Sequence, residues 1–251
     1  MKLTVEQDAR GLGIAAGKAA AALIAKTIRE KGHANIILGT GASQFETLKQ
    51  LTASPDIDWH KVVMFHLDEY IGLPATHPAS FRRYLKERFL DQVPVLKAYF
   101  FIDGNADPVE ECTRLGYLID ARPIDVALAG IGENGHLAFN DPPADFETTQ
   151  PYVIAQLDEA CRKQQLGEGW FKTIDEVPAT AISMSVHQIM RSRQIICSVP
   201  DLRKAKAVKN CFEQPISNLY PASILRRHPD CRFFLDVHSA SLLSGEVSSY
   251  R

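Results

Sequence analysis

The 251-residue sequence has no run of 18 apolar residues, no C-x-x-C pair and no marked excess of either charge. The first absence argues against a membrane-spanning helix. The second, with five widely spaced cysteines (Cys112, Cys161, Cys197, Cys211, Cys231), points to a reducing compartment, the cytoplasm, and to cysteines used as small buried hydrophobes. Lys and Arg number 28 against 30 Asp and Glu, spread along the chain for a formal net charge of −2, so neither nucleic acid nor an anionic membrane is expected as the main partner. The opening MKLTVEQDARG carries early charges and no apolar core, so no signal peptide is expected. H-E-x-x-H, G-K-[ST] and G-x-S-x-G are all missing, which leaves no metal site, Walker loop or serine elbow to expect.

What is present is an ordinary 45% of hydrophobic residues, arranged as alternating strand and helix signals. Residues 5–31 read as a first helix, and 34–38, 61–67, 98–102, 124–129, 180–184, 194–198 and 231–235 as strands. Helices are expected over 44–51, 78–90, 107–119, 201–212 and 217–226, with a short one between the strands at 180 and 194. Such alternation implies an α/β fold: a parallel sheet covered by helices on both faces. No linker or repeat breaks residues 1–251, so a single domain is expected. Residues 141–178 show only weak helical pattern and are long for a connection, which suggests a lid.

Ligands bind such sheets at the carboxyl ends of the strands. Four of those ends carry unusual residues: GTGAS (39–43), HLDEY (66–70), GIGENGH (130–136) and SVPDLRK (198–204). GIGENG has the G-x-G-x-x-G spacing of a dinucleotide loop, but HLAFNDPP follows it, and Pro142 and Pro143 leave no room for the helix that a pyrophosphate needs. The loop instead presents Asn134, His136 and Asp141, an imidazole with a carboxylate to fix its tautomer. In GTGAS, small residues let backbone N–H groups approach an anion, Thr40 and Ser43 add hydroxyls, and Lys204 offers a cation from another strand end. Asp68 and Glu69 are adjacent on an extended segment, so their side chains point opposite ways and one of them at most faces a site. Carboxylate, imidazole and phosphate cradle together suit proton abstraction beside the carbonyl of a sugar phosphate.

These loops together resemble the glucosamine-6-phosphate deaminase (isomerase) family, within the wider group that includes the 6-phosphogluconolactonases. The stretches that carry the likeness are LGTGAS, FHLDEYIGLPATHPASFRRYL, GIGENGHLAFNDPP, LDEACR, VPDLRKAKAV and HPDCRFFLDVHSASLL, in the family's order. Lactonases typically continue the GH loop towards T-A-S-L-F, whereas A-F-N-D-P here follows the deaminase branch. The resemblance implies a three-layer α/β/α sandwich with a mostly parallel, Rossmann-like sheet. It implies conversion of glucosamine 6-phosphate and water to fructose 6-phosphate and ammonia, with no cofactor. Asp68 matches the base that moves a proton between C2 and C1, His136 the residue that assists ring opening, and Asp141 its orienting acid. Asn134 stands where members have Asp or Asn. Thr40, Gly41, Ser43, Lys204 and Arg162 match phosphate contacts. The alternatives are galactosamine 6-phosphate as substrate, a 6-phosphogluconolactonase, or a non-catalytic sugar-phosphate-sensing domain. A monomer and a homo-oligomer are both open. The stretch 142–156 has no Lys or Arg, so no anionic effector is expected there.

Overall fold

A computed structural model describes residues 1–245. The strands are β1 (Lys2–Glu6), β2 (Ala34–Leu38), β3 (Val62–His66), β4 (Asp68–Tyr70), β5 (Ala98–Phe100), β6 (Val126–Ala129), β7 (Tyr152–Gln156), β8 (Thr180–Met184), β9 (Gln194–Val199) and β10 (Cys231–Asp236). The helices are α1 (Ala9–Lys31), α2 (Phe45–Thr52), α3 (Phe81–Arg88), α4 (Pro108–Asp120), α5 (Glu159–Gly167), α6 (Val186–Met190) and α7 (Ala205–Glu213).

Seven strands form a parallel sheet in the order β1-β10-β9-β6-β2-β3-β5. Its inner strands are apolar on both faces, as a doubly covered sheet requires. Successive residues of β2 show it: Ile36 and Leu38 pack with Leu12 and Ile24 of α1, Leu48 of α2 and Leu85 of α3, while Ile37 joins the opposite cluster with Leu115 of α4, Ile189 of α6 and Val208 of α7. The result is the three-layer sandwich that the resemblance implied. A second, antiparallel sheet, β4-β8-β7, lies beside it under a cluster of Tyr70, Phe81, Phe139 and Phe171.

Four sequence expectations change. Residues 2–6 form edge strand β1 rather than the start of a helix, because Asp8 caps α1 by accepting from Gly11 N–H at 2.7 Å. The strand at 180–184 belongs to the antiparallel sheet, paired with a strand, β7, that was not expected. Of β7 only Tyr152 is buried, so the hydrophobic signal was faint. The region 141–178 is therefore built of β7, α5 and a 3-10 turn at Ile174–Glu176. Residues 217–226, expected as an α-helix, give a 3-10 turn at Pro221–Arg227. By length and composition alone α1 could cross a membrane, but most of its apolar window is buried against α2 and the sheet.

Helix α1 lies close to α2 because it carries glycine at two contact positions, Gly13 and Gly17. A methyl group on Gly13 would stand 2.6 Å from the Glu46 carbonyl carbon and 2.9 Å from its Cα. Backbone cannot rotate aside, so the collision outweighs the gain of about 1 kcal/mol in helix propensity. Gly13→Ala is expected to lower stability by about 2 kcal/mol, measured from urea unfolding; unchanged or increased stability would show that the two helices can part without cost.

Candidate active site

The carboxyl ends of β2, β3, β6 and β9 open into one pocket, and the chain is drawn there by its own backbone. Strand β3 ends at His66, and β4 begins at Asp68 in the other sheet. Between them Leu67 serves both: its N–H donates to Leu38 carbonyl at 3.3 Å in the parallel sheet, and its carbonyl accepts from Met184 N–H at 2.6 Å in the antiparallel one. His66 is fully buried, and burial pushes its pKa down to about 3. Its neutral ring accepts from Ile102 N–H at 2.9 Å and so pins the end of β3.

Asp68 and Glu69 diverge, as the alternation of an extended segment requires. Glu69 turns inward, away from the pocket, and accepts from Ser80 Oγ (2.7 Å), from the N–H groups of Tyr70, Phe81 and Arg82, and from Arg82 Nε (3.2 Å). It satisfies the open N-terminus of α3 and is structural. Asp68 lines the pocket. Burial and the Glu69 charge raise its pKa to about 8, against a hydrogen bond from Thr40 that pulls it down. A buried carboxylate held near neutrality in a cleft is a poised base.

The loop after β6 brings in the imidazole. His136 Nδ1 lies 3.1 Å from Asp141 Oδ1, at ion-pair distance but without the alignment of a straight hydrogen bond. Burial works to raise the Asp141 pKa, yet contacts with His136, Asn134 and the Asp158 N–H outweigh it and the net shift is downward. Asn134 brackets the turn: its Oδ1 accepts from His136 N–H at 3.0 Å, while its Nδ2 donates to Asp141 (3.0 Å) and Asp158 (3.1 Å). Ala138, two residues on, has φ of 53°, a strained value that the tight loop enforces. His136, Asp141 and Cys161 also offer donor atoms within 4.8 Å of one another. Burial and the flanking carboxylates raise the Cys161 pKa and keep its thiol neutral, so a metal would first have to displace that proton.

At the far end, Gly41 (φ of 86°) leads into a 3-10 turn and then α2, so the N–H groups of 41–43 sit at a helix start. Gln44 ties this turn to the Ala129 and Ser198 carbonyls at 3.2 and 3.4 Å. Thr40, Gly41 and Ser43 line the pocket with Lys204, whose side chain is buried. Burial lowers the Lys204 pKa, while Glu168 and Glu133 raise it from across the space. Asp201, at φ of 89°, shapes the turn that delivers Lys204.

Eight of the nine residues singled out in the sequence meet around this pocket, six of them on its wall and Asn134 and Asp141 behind His136. Arg162 does not. It faces away and donates to the Ile174 and Val177 carbonyls at 2.6 and 3.0 Å, which ties α5 to the 3-10 turn there. Arg203, Gln164, Gln165 and Glu168 line the pocket instead and were missed. A partial signal existed for two of them: Gln164 and Gln165 lie at helical spacing on the face of α5 that meets the pocket, and Arg203 stands next to Lys204 in SVPDLRK.

A family described as glucosamine-6-phosphate isomerases/6-phosphogluconolactonase matches residues 7–233. The chain belongs to that family. The glucosamine-6-phosphate deaminase of Lactobacillus delbrueckii subsp. bulgaricus is 34% identical over 243 residues, 97% of this chain and 100% of that one. Its counterpart in Bacillus pumilus is 36% identical over 232 residues, 90% and 95% of the two chains. A solved monomeric glucosamine-6-phosphate deaminase superposes with a TM-score of 0.87 at 32% identity, covering 96% of this chain and all of that one. The 6-phosphogluconolactonase of Trypanosoma brucei shares the fold, with a TM-score of 0.79 at 17% identity and coverage of 97% and 98%.

Gly132 faces the imidazole, and a methyl group built there would overlap the His136 ring. Gly132→Ala is expected to leave the far-ultraviolet spectrum unchanged but reduce kcat/KM by about 100-fold, the usual cost of a misplacement near 1 Å. Full activity in that variant would show that the position of His136 is not critical.

Proposed function

We propose that this chain is a glucosamine-6-phosphate deaminase that converts glucosamine 6-phosphate and water to fructose 6-phosphate and ammonia. The observation that carries the reading is the joint presence, in one pocket, of a carboxylate poised near neutrality, an oriented imidazole and a buried lysine beside a helix start. Thr40, Gly41, Ser43 and Lys204 hold the phosphate. His136, oriented by Asp141 and with its turn held by Asn134, passes a proton at the ring oxygen and opens the pyranose. Asp68 removes the C2 proton and returns it to C1, which turns the aldose amine into a ketose imine. Water adds to C2, the nitrogen leaves as ammonia, and no electron changes hands. The deaminase relatives and the A-F-N-D-P continuation of the histidine loop favour this over lactone hydrolysis. The monomeric relative favours a chain that works alone. A charged sugar as substrate, and five cysteines that are free thiols, favour the cytoplasm.

The test is release of ammonia and ketose phosphate from glucosamine 6-phosphate with EDTA present and no nucleotide, run in parallel with galactosamine 6-phosphate and 6-phosphogluconolactone. Rapid lactone hydrolysis without deamination would overturn the assignment. Asp68→Asn is expected to reduce kcat by about 10²–10⁴-fold, with Glu69→Gln acting on folding stability rather than on the chemical step. The ionised form of Asp68 is the base, so kcat/KM is expected to rise with pH, reach half its plateau near pH 8, where the free enzyme loses that proton, and level off above it. A profile flat from pH 6 to 9 would remove Asp68 from the role.

A further inference from the structure

Helix α5 spans the pocket from the imidazole to the phosphate cradle. Its N-cap, Asp158, accepts from Asn134 Nδ2 at 3.1 Å, and Asp158 N–H donates to Asp141 Oδ2 at 3.0 Å, so this end is tied to the histidine loop. Midway, Gln164 accepts from Glu133 N–H at 2.8 Å and Gln165 accepts from Tyr70 Oη at 2.8 Å. From Cys161 to Glu168 the helix advances about 10 Å, which delivers Glu168 to the opposite end. There its carboxylate stands over the glycine turn: a methyl group on Gly41 would lie 3.7 Å from Glu168 Oε2. Gln164 Nε2 fixes the other oxygen at 3.1 Å. The nearby cations are Lys204 and Arg203, and Arg203 is already engaged by Asp201 at 2.9 Å.

A carboxylate at this place conflicts with the use of the turn as a phosphate cradle. Phosphate seated on residues 41–43 and Lys204 would meet a like charge in a site with little water, where repulsion is strong. The pocket otherwise has a reason to keep the group. Lys204 is buried, and of the carboxylates that support its charge, Glu168, Glu133 and Asp201, Glu168 acts most strongly.

We propose that Glu168 is the resident anion of the empty phosphate cradle, and that substrate phosphate must displace it. This rests on the cradle reading given above. Displacement breaks the Gln164 Nε2 contact and swings the side chain of Glu168, the C-cap of α5, off the turn. The helix ends at Gly167, Gly169 (φ of 83°) turns the chain, and the next residue is Trp170, one of two tryptophans in the chain; the other, Trp59, is buried beside Phe89. Glu168 thereby lowers the affinity for phosphate in return for a charge-balanced empty site.

The experiment is calorimetric titration of inorganic phosphate at pH 8 into the wild-type protein, Glu168→Gln, Glu168→Ala and Lys204→Gln, with tryptophan emission followed in parallel. Both Glu168 variants are expected to bind phosphate at least 10-fold more tightly than wild type, with a lower KM for glucosamine 6-phosphate. Phosphate should shift Trp170 emission in the wild-type protein and much less in the Glu168 variants, whose latch is already open. Lys204→Gln should lose phosphate binding. If Lys204→Gln loses it while both Glu168 variants bind as wild type or more weakly, the displacement is wrong and the cradle stands. If Lys204→Gln binds phosphate as well as wild type does, the cradle itself is misplaced and the proposal falls with it.

Discussion

The structure depends on one backbone residue that serves two sheets. Leu67 donates to the parallel sheet and accepts from the antiparallel one, so the chain cannot slip by a residue without breaking both ladders. That constraint places Asp68 at the mouth of the large sheet and sends Glu69 into the interior. Two adjacent carboxylates thus take different environments from one crossing. Glu69 is surrounded by donors and capped onto α3; Asp68 is left with burial, a like charge behind it and a single hydroxyl. The difference in partners, with identical chemistry, makes one of them a structural anchor and leaves the other a pocket carboxylate with a raised pKa.

The remaining parts of the pocket lean on the same frame. Gln44 joins the cradle turn to β6 and β9, Asn134 and Asp141 join the histidine loop to the cap of α5, and Tyr70, next to the crossing, holds Gln165 in the middle of that helix. Each link is short and mostly buried, so the groups meant to meet substrate are set before substrate arrives. The strained residues, Ala138 and Asp201, lie in the two loops that deliver His136 and Lys204, where a rigid sheet on either side can hold them.

Much of this was legible in the sequence because the inner strands are apolar on both faces and alternate with stretches of helical pattern. The motif residues were legible for a different reason: their types are unusual at strand ends. What escaped was whatever the periodic signal could not carry. β1 and β7 each bury few residues, so neither alternates strongly enough to stand out. Arg162 has the right charge in the right stretch, but the orientation of its side chain is set by carbonyls that exist only once the turn at Ile174–Glu176 has formed. Glu168 was hidden for the converse reason: a carboxylate is not sought in a phosphate site, and only the packing of α5 over Gly41 brings it there.

The central claim is that the crossing at Leu67 isolates Asp68 and raises its pKa while leaving Glu69 to the fold. It is tested most directly by titrating the protein carrying ¹³C-labelled aspartate carboxyls and following the resonance that Asp68→Asn removes. The account predicts a carboxyl that titrates near pH 8 in the substrate-free enzyme. An Asp68 resonance that titrates near the ordinary aspartate value, about 4, would contradict it.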